Sequence, residues 1–232
     1  MIARLTAGIA ALVLVAACGS NPPADPEPSP TVAPLTIEQL TALLPTDTQL
    51  PEGAHDVKRC GPAKDCWDGV EASKVDFELE PPEDLANADR ERRANGFAFP
   101  ESGTITVMVY PDKAAAEQAV ATLRQEAEKK NGDFESEADG TESRFTPGEK
   151  GHGTLTQVDR DGWTGFALSA RTTFSAPDGD MTNPGLEHVT HLRAGSMTVR
   201  VQVWLSAGDD TGATDRIAED LLDGFMRRLE AA

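Results

Sequence analysis

Alternating apolar and polar residues recur in six short segments of the chain, and this period of two predicts β-strands. The first two segments are centred on residues 75–79 and 105–109. Four more follow in the second half, with the sequences "GTLTQVD", "WTGFALSARTTF", "EHVTHLR" and "MTVRVQVWL". Turn residues at 160–162 join the first two of these segments, and turn residues at 194–196 join the last two. This predicts two β-hairpins.

Three other segments show the period of an amphipathic helix. A capping-box pattern starts a short helix over 36–44, and the clearest helix runs from Asp112 towards Asn131-Gly132. The last helix covers about 213–230, and one side of it is apolar. The members of that side are Ile217, Leu221, Leu222, Phe225, Met226 and Leu229.

The remaining segments lack a clear apolar period. The stretch "EDLANADRERRANG" predicts a polar helix that Gly96 caps, residues 45–73 predict turns, and the acidic residues 133–152 predict an exposed loop. In the second half of the chain, the strands are predicted to have two apolar faces that match each other. One consists of Val199, Val201, Val203 and Leu205, and the other of Phe166, Leu168, Ala170 and Phe174. The predicted fold class is α+β, an antiparallel β-sheet with helices packed on one face.

The N-terminus has the features of a signal peptide. Residues 1–4 carry one positive charge, Leu5–Ala17 is apolar apart from one threonine, and this run is too short to span a bilayer. The residues "VAA" directly before Cys18 resemble the lipobox of bacterial lipoproteins, in which the cysteine is diacylated and becomes the first residue. Two acyl chains suffice for stable membrane anchoring. The alternative is an ordinary signal peptide with a chance cysteine near its cleavage site.

A proline-rich segment follows the cysteine and predicts an extended spacer. The expected organisation is a lipoprotein signal peptide at 1–17, lipidated Cys18 with its linker at 18–34, and one extracytoplasmic α+β domain at 35–232. The expected location is the outer face of the cytoplasmic membrane, held by the diacylglyceryl group on Cys18.

Charge limits the partners of this domain. The formal net charge is −18, which makes nucleic acid and anionic lipid surfaces poor partners. The acidic residues are spread along the chain, as on a solvated surface.

Two cysteines remain in the domain, Cys60 and Cys66, in the sequence "CGPAKDC". A close pair in an exported chain predicts a disulfide that closes a small loop. Zinc binding would need two more soft ligands, and His55 is the only histidine nearby. A redox-active pair would need a shorter spacing.

Candidate chemistry elsewhere is sparse. His188 and His191 would share a face on a helix and could hold zinc there, but the alternation predicts a strand, on which positions three apart point to opposite faces. Asp178, Asp180 and Asn183 lack the spacing of a calcium loop. The sequence contains no G-x-S-x-G motif. We therefore expect no enzymatic activity, no catalytic residues, no metal site and no cofactor.

Three stretches together resemble the extracytoplasmic sensor-like domains of actinobacteria, which occur on serine/threonine kinases (the PknH-type sensor domain) and on free lipoproteins. The longest is "HLRAGSMTVRVQVWLSAGDDTGATDRIAEDLLDGFMRRL", and the others are "VYPDKAAAEQAVATL" and "LTIEQLTALLPTDTQLP". The family commonly carries two disulfides near a tryptophan, whereas this chain has one cysteine pair in the domain, followed by Trp67. The resemblance implies ligand binding or signal sensing and names no ligand.

The expected function is a lipid-anchored, non-enzymatic binding or sensor-like domain of the bacterial cell envelope. The alternative is a carrier of a lipid or another apolar ligand, with a cavity between sheet and helices. The residues expected to line that cavity are Phe166, Phe174, Met197 and Trp204.

Overall fold

In the computed structural model, an eight-stranded antiparallel sheet forms the centre of the fold. The structure describes residues 32–63, 70–80, 101–141, 144–175, 183–206 and 212–232. Strands follow one another in the order β1-β2-β3-β10-β9-β8-β7-β4, and β5 pairs with β6 separately. Their bounds are β1 His55–Ala63, β2 Glu71–Glu78, β3 Ser102–Val109, β4 Gly132–Ser136, β5 Asp139–Thr141, β6 Arg144–Thr146, β7 Gly148–Arg160, β8 Trp163–Ser175, β9 Asn183–Ala194 and β10 Met197–Ser206.

Three α-helices flank the sheet in the described residues: α1 (Ile37–Ala42), α2 (Lys113–Glu128) and α3 (Ala213–Glu230). The predicted capping box of α1 is present, because the Thr36 hydroxyl accepts from the Gln39 N–H and the Gln39 side chain accepts from the Thr36 N–H. The Asp112 carboxylate caps α2 by accepting from the Ala115 N–H at 2.8 Å. A 3₁₀ turn at Asp47–Gln49 follows α1.

The main hydrophobic core lies between one face of the sheet and the helices α1 and α3. The valines of β10 point to this face, together with the alternating apolar residues of β2 and β3. We call it the valine face. Trp163 and Phe225 are both fully buried here, with ring centroids 6.2 Å apart and an edge-to-face angle of 85°.

Helix α2 packs on the opposite face of the sheet. The register pairs Phe166 with His191 and His191 with Arg200, which places these residues between the positions of the valine face. Phe166 and Leu168 form a second apolar cluster there with Ala127 and neighbouring residues of α2. The prediction that helices pack on one face therefore applies to α1 and α3 but not to α2. The Phe166 and valine faces, which we expected to match, are the two sides of one sheet.

Four strands and the start of a fifth occur where the sequence predicts turns or a loop. β1 lies within the segment 45–73, and nearly all of β4 lies within 133–152 together with β5, β6 and the start of β7. β1 and β4 are the end strands of the sheet, and both are mostly exposed. A strand that buries little apolar surface needs no strict alternation, so its sequence carries a weak signal.

Several predictions fall outside the described residues. These include the signal peptide, Cys18 and most of the linker (1–31), the polar helix predicted at 83–96, and Cys66 with Trp67. Within the part of the chain that is described, no helix combines the length and the apolar character needed to cross a membrane.

Candidate functional site

A cleft of about 730 Å³ lies on the valine face, beside the hydrophobic core. Strands β7, β8 and β9 form its floor, and α3 forms one wall. The valine-face positions of these strands change from apolar residues near the core to polar residues in the cleft: on β9, Leu192 is followed outward by Thr190 and His188. The lining consists of Thr154, Thr156, Val158, Arg160, Ala167, Ser169, His188, Thr190, Asp215, Glu219, Leu222 and Asp223.

A hydrogen-bonded network surrounds His188 at the floor of the cleft. Its Nδ1 lies 2.8 Å from Asp215 Oδ1 and 3.1 Å from Ser169 Oγ, and Ser169 Oγ donates to Asp215 Oδ1 at 2.9 Å. Its Nε2 lies 2.8 Å from Thr190 Oγ1. The imidazole is nearly buried, whereas the Asp215 side chain is 40% exposed. The network thus joins two adjacent strands to α3 and leaves one carboxylate open to the cleft.

Helix α3 presents a row of carboxylates to the cleft. Asp215, Glu219 and Asp223 are spaced four residues apart, so they lie on one side of the helix. Arg160, at the end of β7, donates to Asp223 across the cleft. Of the charged groups that line the cleft, three are acidic and one is basic, and the basic one is already paired with an acid.

The arrangement around His188 differs from that of a catalytic triad. A triad needs the carboxylate on one imidazole nitrogen and the nucleophilic hydroxyl on the other, but Ser169 and Asp215 share Nδ1. Thr190 does face Nε2, yet it lies in the middle of β9, which pairs with β8 and β10 on both sides. Its backbone N–H groups are directed to those neighbours and are not gathered into an oxyanion hole. The geometry around His188 therefore differs from that of a nucleophilic triad with an oxyanion hole.

His191 points away from the cleft, as predicted for strand positions three apart. It is 5% exposed, and burial lowers its pKa to about 3, with a further contribution from the neighbouring Arg200 guanidinium. His188 and His191 therefore cannot bind one metal ion together, and the sequence-based choice of a strand over a zinc-binding helix is correct.

The residues predicted as sites have different outcomes. Cys60 lies on β1, but Cys66 and Cys18 lie outside the described residues, so the disulfide and the lipid anchor stay predictions. Of the apolar residues expected to line a carrier cavity, Met197 and Phe166 lie on opposite faces of the sheet, because Met197 belongs to the main core and Phe166 to the cluster under α2. Of the residues that resembled a calcium loop, Asn183 begins β9 and the two aspartates are not described.

Sequence reasoning missed most of the cleft. The sequence suggests only His191 as a partner of His188, whereas its partners in the structure are Ser169 on β8 and Asp215 on α3. The sequence of β8 and β9 does contain a usable signal for the cleft. On one face of these strands, alternate positions change from apolar to polar residues.

Comparisons with known proteins support the fold. The sequence matches no protein-family model and no curated protein. Its structure is similar to the crystal structure of the extracellular domain of PknH from Mycobacterium tuberculosis, with a TM-score of 0.50 and 11% sequence identity. The alignment covers 84% of this chain and 99% of that domain. The chain thus has the fold of this extracellular domain, as the resemblance in its sequence implied.

Proposed function

We propose that this protein is a non-enzymatic, sensor-like binding domain on the outer face of a bacterial cytoplasmic membrane, of the actinobacterial type and anchored by a diacylglyceryl group on Cys18. The observation that carries the binding role is the cleft, in which the His188 network lies at the floor of a cavity of about 730 Å³. Support for the location comes from the lipobox-like N-terminus and the similarity to an extracellular domain.

The cleft has the size and chemistry for a small polar ligand. Its volume lies within the range of small-molecule sites, which is about 300–1,000 Å³. Hydroxyls from threonines and a serine offer both donors and acceptors, and the carboxylates on α3 offer acceptors. Because acidic groups outnumber basic ones, a neutral polyhydroxyl ligand or a cationic ligand fits better than an anion.

Binding in the cleft would act on α3 directly. The helix contributes the carboxylate row to the cleft and Phe225 to the core, so a ligand that contacts Asp215 also contacts an element of the main core. A change in the position or stability of α3 is therefore the most direct structural response to a ligand.

The experiment compares three probes by their effect on the thermal unfolding midpoint of the full chain in detergent. The probes are sucrose as a neutral polyol, spermidine as a polycation and inorganic phosphate as an anion. We expect sucrose or spermidine, each at millimolar concentration, to raise the midpoint, because a ligand that binds only the native state stabilises it. Phosphate should not raise it.

Variants on α3 provide the control. Asp215→Asn removes a carboxylate that faces the cleft, and Asp220→Asn removes one from another side of the same helix. The shift should disappear in Asp215→Asn and persist in Asp220→Asn. A shift with phosphate alone, or a shift that Asp215→Asn leaves unchanged, would contradict a polar or cationic ligand at this cleft.

A further inference from the structure

At the opposite end of the sheet from the cleft, a β-bulge brings three metal-binding residue types together. His55 pairs with Glu78 and Lys58 pairs with Asp76, so β1 contains one residue more than β2 over this interval. In a regular strand, the side chains of His55 and Asp56 would point to opposite faces. Asp56 instead has φ of +47°, a left-handed conformation that residues other than glycine seldom adopt.

The result is a compact set of possible ligand atoms. One nitrogen of His55 and one carboxylate oxygen each from Asp56 and Glu78 all lie within 4.8 Å of one another. His55 and Asp56 are exposed and Glu78 is half-buried, so an ion in solution can reach them. We propose that His55, Asp56 and Glu78 form a binding site for a divalent transition-metal ion, with zinc as the best fit.

The orientation of the His55 ring supports this assignment. Nδ1 lies 3.1 Å from the carbonyl oxygen of Gly53, and because a carbonyl oxygen only accepts, Nδ1 carries the proton. In the neutral ring, the lone pair is then on Nε2, the nitrogen that faces Glu78. Histidines that bind metals commonly donate their other N–H to a backbone carbonyl or a carboxylate in this way.

A simple ion pair explains the spacing less well. His55 Nε2 lies 4.0 Å from Glu78 Oε2, which is too long for a hydrogen bond. The same chain shows a direct contact at His152, whose Nδ1 lies 2.7 Å from Asp133 Oδ1. Ligands at about 2.1 Å from a tetrahedral zinc ion stand about 3.4 Å apart, so small rotations of exposed side chains suffice to close the His55 site.

The ligand types select the ion. One imidazole nitrogen and two carboxylates suit zinc and neighbouring first-row divalent ions, whereas magnesium and calcium prefer oxygen ligands alone. With three protein ligands, at least one coordination position is left to water. The site uses β1 and β2, whereas the cleft uses β7, β8 and β9, so a metal here is independent of the ligand proposed above.

Isothermal titration calorimetry of zinc chloride into the metal-free full chain, purified without a polyhistidine tag, tests the proposal. We expect one zinc ion per chain, with no comparable heat from magnesium chloride. His55→Ala and Glu78→Gln should each weaken binding by about tenfold or more. His152→Ala, which removes an exposed histidine beside a single carboxylate, should leave the affinity unchanged.

Circular dichroism of each variant shows whether the sheet is retained, and two independent variants keep the test meaningful if one of them misfolds. The proposal is overturned if the wild-type chain binds no zinc, if both folded variants bind it as the wild type does, or if His152→Ala removes the binding.

Discussion

The ring of Phe166 lies against the ring of His191 on the face of the sheet opposite the cleft, with centroids 5.1 Å apart and an angle of 34° between the planes. On the other side of His191, the register places Arg200 directly opposite on β10. An aromatic ring and a cation thus enclose a histidine that is 5% exposed, and both burial and the nearby positive charge disfavour its protonated form.

This environment predicts that stability falls with acid through His191. Its pKa is about 3 in the folded chain and about 6.5 when unfolded, so between these values the unfolded chain binds a proton that the folded chain does not. The contribution is complete above pH 6.5 and decreases by about 1.4 kcal/mol for each pH unit below it. Urea unfolding of the wild type and of His191→Phe at pH 7, 6, 5 and 4 measures the difference between the two slopes.

His152→Gln is the matched control for that experiment, because His152 is an exposed histidine on the same sheet. Its stability should follow the wild-type pH dependence far more closely than that of His191→Phe does. Parallel curves for the wild type and His191→Phe would show that His191 takes up protons equally in the folded and unfolded chain.

Gly165 on β8 is predicted to be intolerant of any side chain. A Cβ atom there would lie 1.8 Å from the carbonyl oxygen of His191, and the other nearest atoms are also backbone atoms of β9. Backbone atoms of a central strand cannot move aside as a flexible side chain can, so Gly165→Ala should lower the free energy of unfolding by about 3 kcal/mol or more. At Gly61 on β1, a Cβ would meet nothing within 4 Å. Gly61→Ala should therefore change the free energy of unfolding by less than about 0.5 kcal/mol.

Urea denaturation of the two alanine variants gives both values. Similar losses at the two positions would mean that β8 and β9 separate easily at Gly165, contrary to the close approach of their backbones.

The lipid anchor is predicted to depend on Cys18 alone. In Cys18→Ser, the thiol that would receive the diacylglyceryl group is absent, so the protein should leave the membrane pellet, and its electrophoretic mobility should change because processing requires the lipidated cysteine. Fractionation of the native host followed by immunoblotting measures both. A variant that stays in the pellet with unchanged mobility would show that the chain is held by something other than Cys18.

Cys60 and Cys66 are predicted to form a disulfide in the exported protein. The backbone of Cys60 is held to β2, because the Ser73 hydroxyl donates a hydrogen bond to the Cys60 carbonyl oxygen at 2.9 Å. A loop this small should contribute about 2 kcal/mol of stability. Alkylation with iodoacetamide under denaturing, non-reducing conditions should add nothing to the peptide that spans 60–66, as measured by mass spectrometry. Two carbamidomethyl groups on that peptide would mean free thiols.

Elements with a strong local signal could be predicted from the sequence. The capping box at Thr36, the Asp112 cap and the apolar side of α3 depend on residues within one turn or one helix, and all three are present. The turns at 160–162 and 194–196 likewise join β7 to β8 and β9 to β10.

The side of the sheet on which α2 packs depends on long-range contacts instead. Phe166 and Val199 both belong to alternating apolar strands, and a single sequence does not show whether two such faces oppose each other or lie back to back. The candidate site also depends on long-range contacts, because Asp215 reaches His188 only through the packing of α3 on the sheet. At His55, the bulge that turns Asp56 towards it leaves no recognisable pattern in the sequence.

The two end strands bear on how neighbouring copies would behave when crowded. Among the described residues, β1 and β4 each pair on one side, and such a strand is a potential template for intermolecular β-sheet growth. Here β1 is interrupted by its bulge and carries Lys58 and Arg59, while β4 is five residues long and carries Asp133 and Glu135. Irregular, short and charged edges resist edge-to-edge association. Under the proposed anchor on Cys18, copies would meet in two dimensions, and these edges, together with the net charge of −18, should then keep a dense population of copies separate.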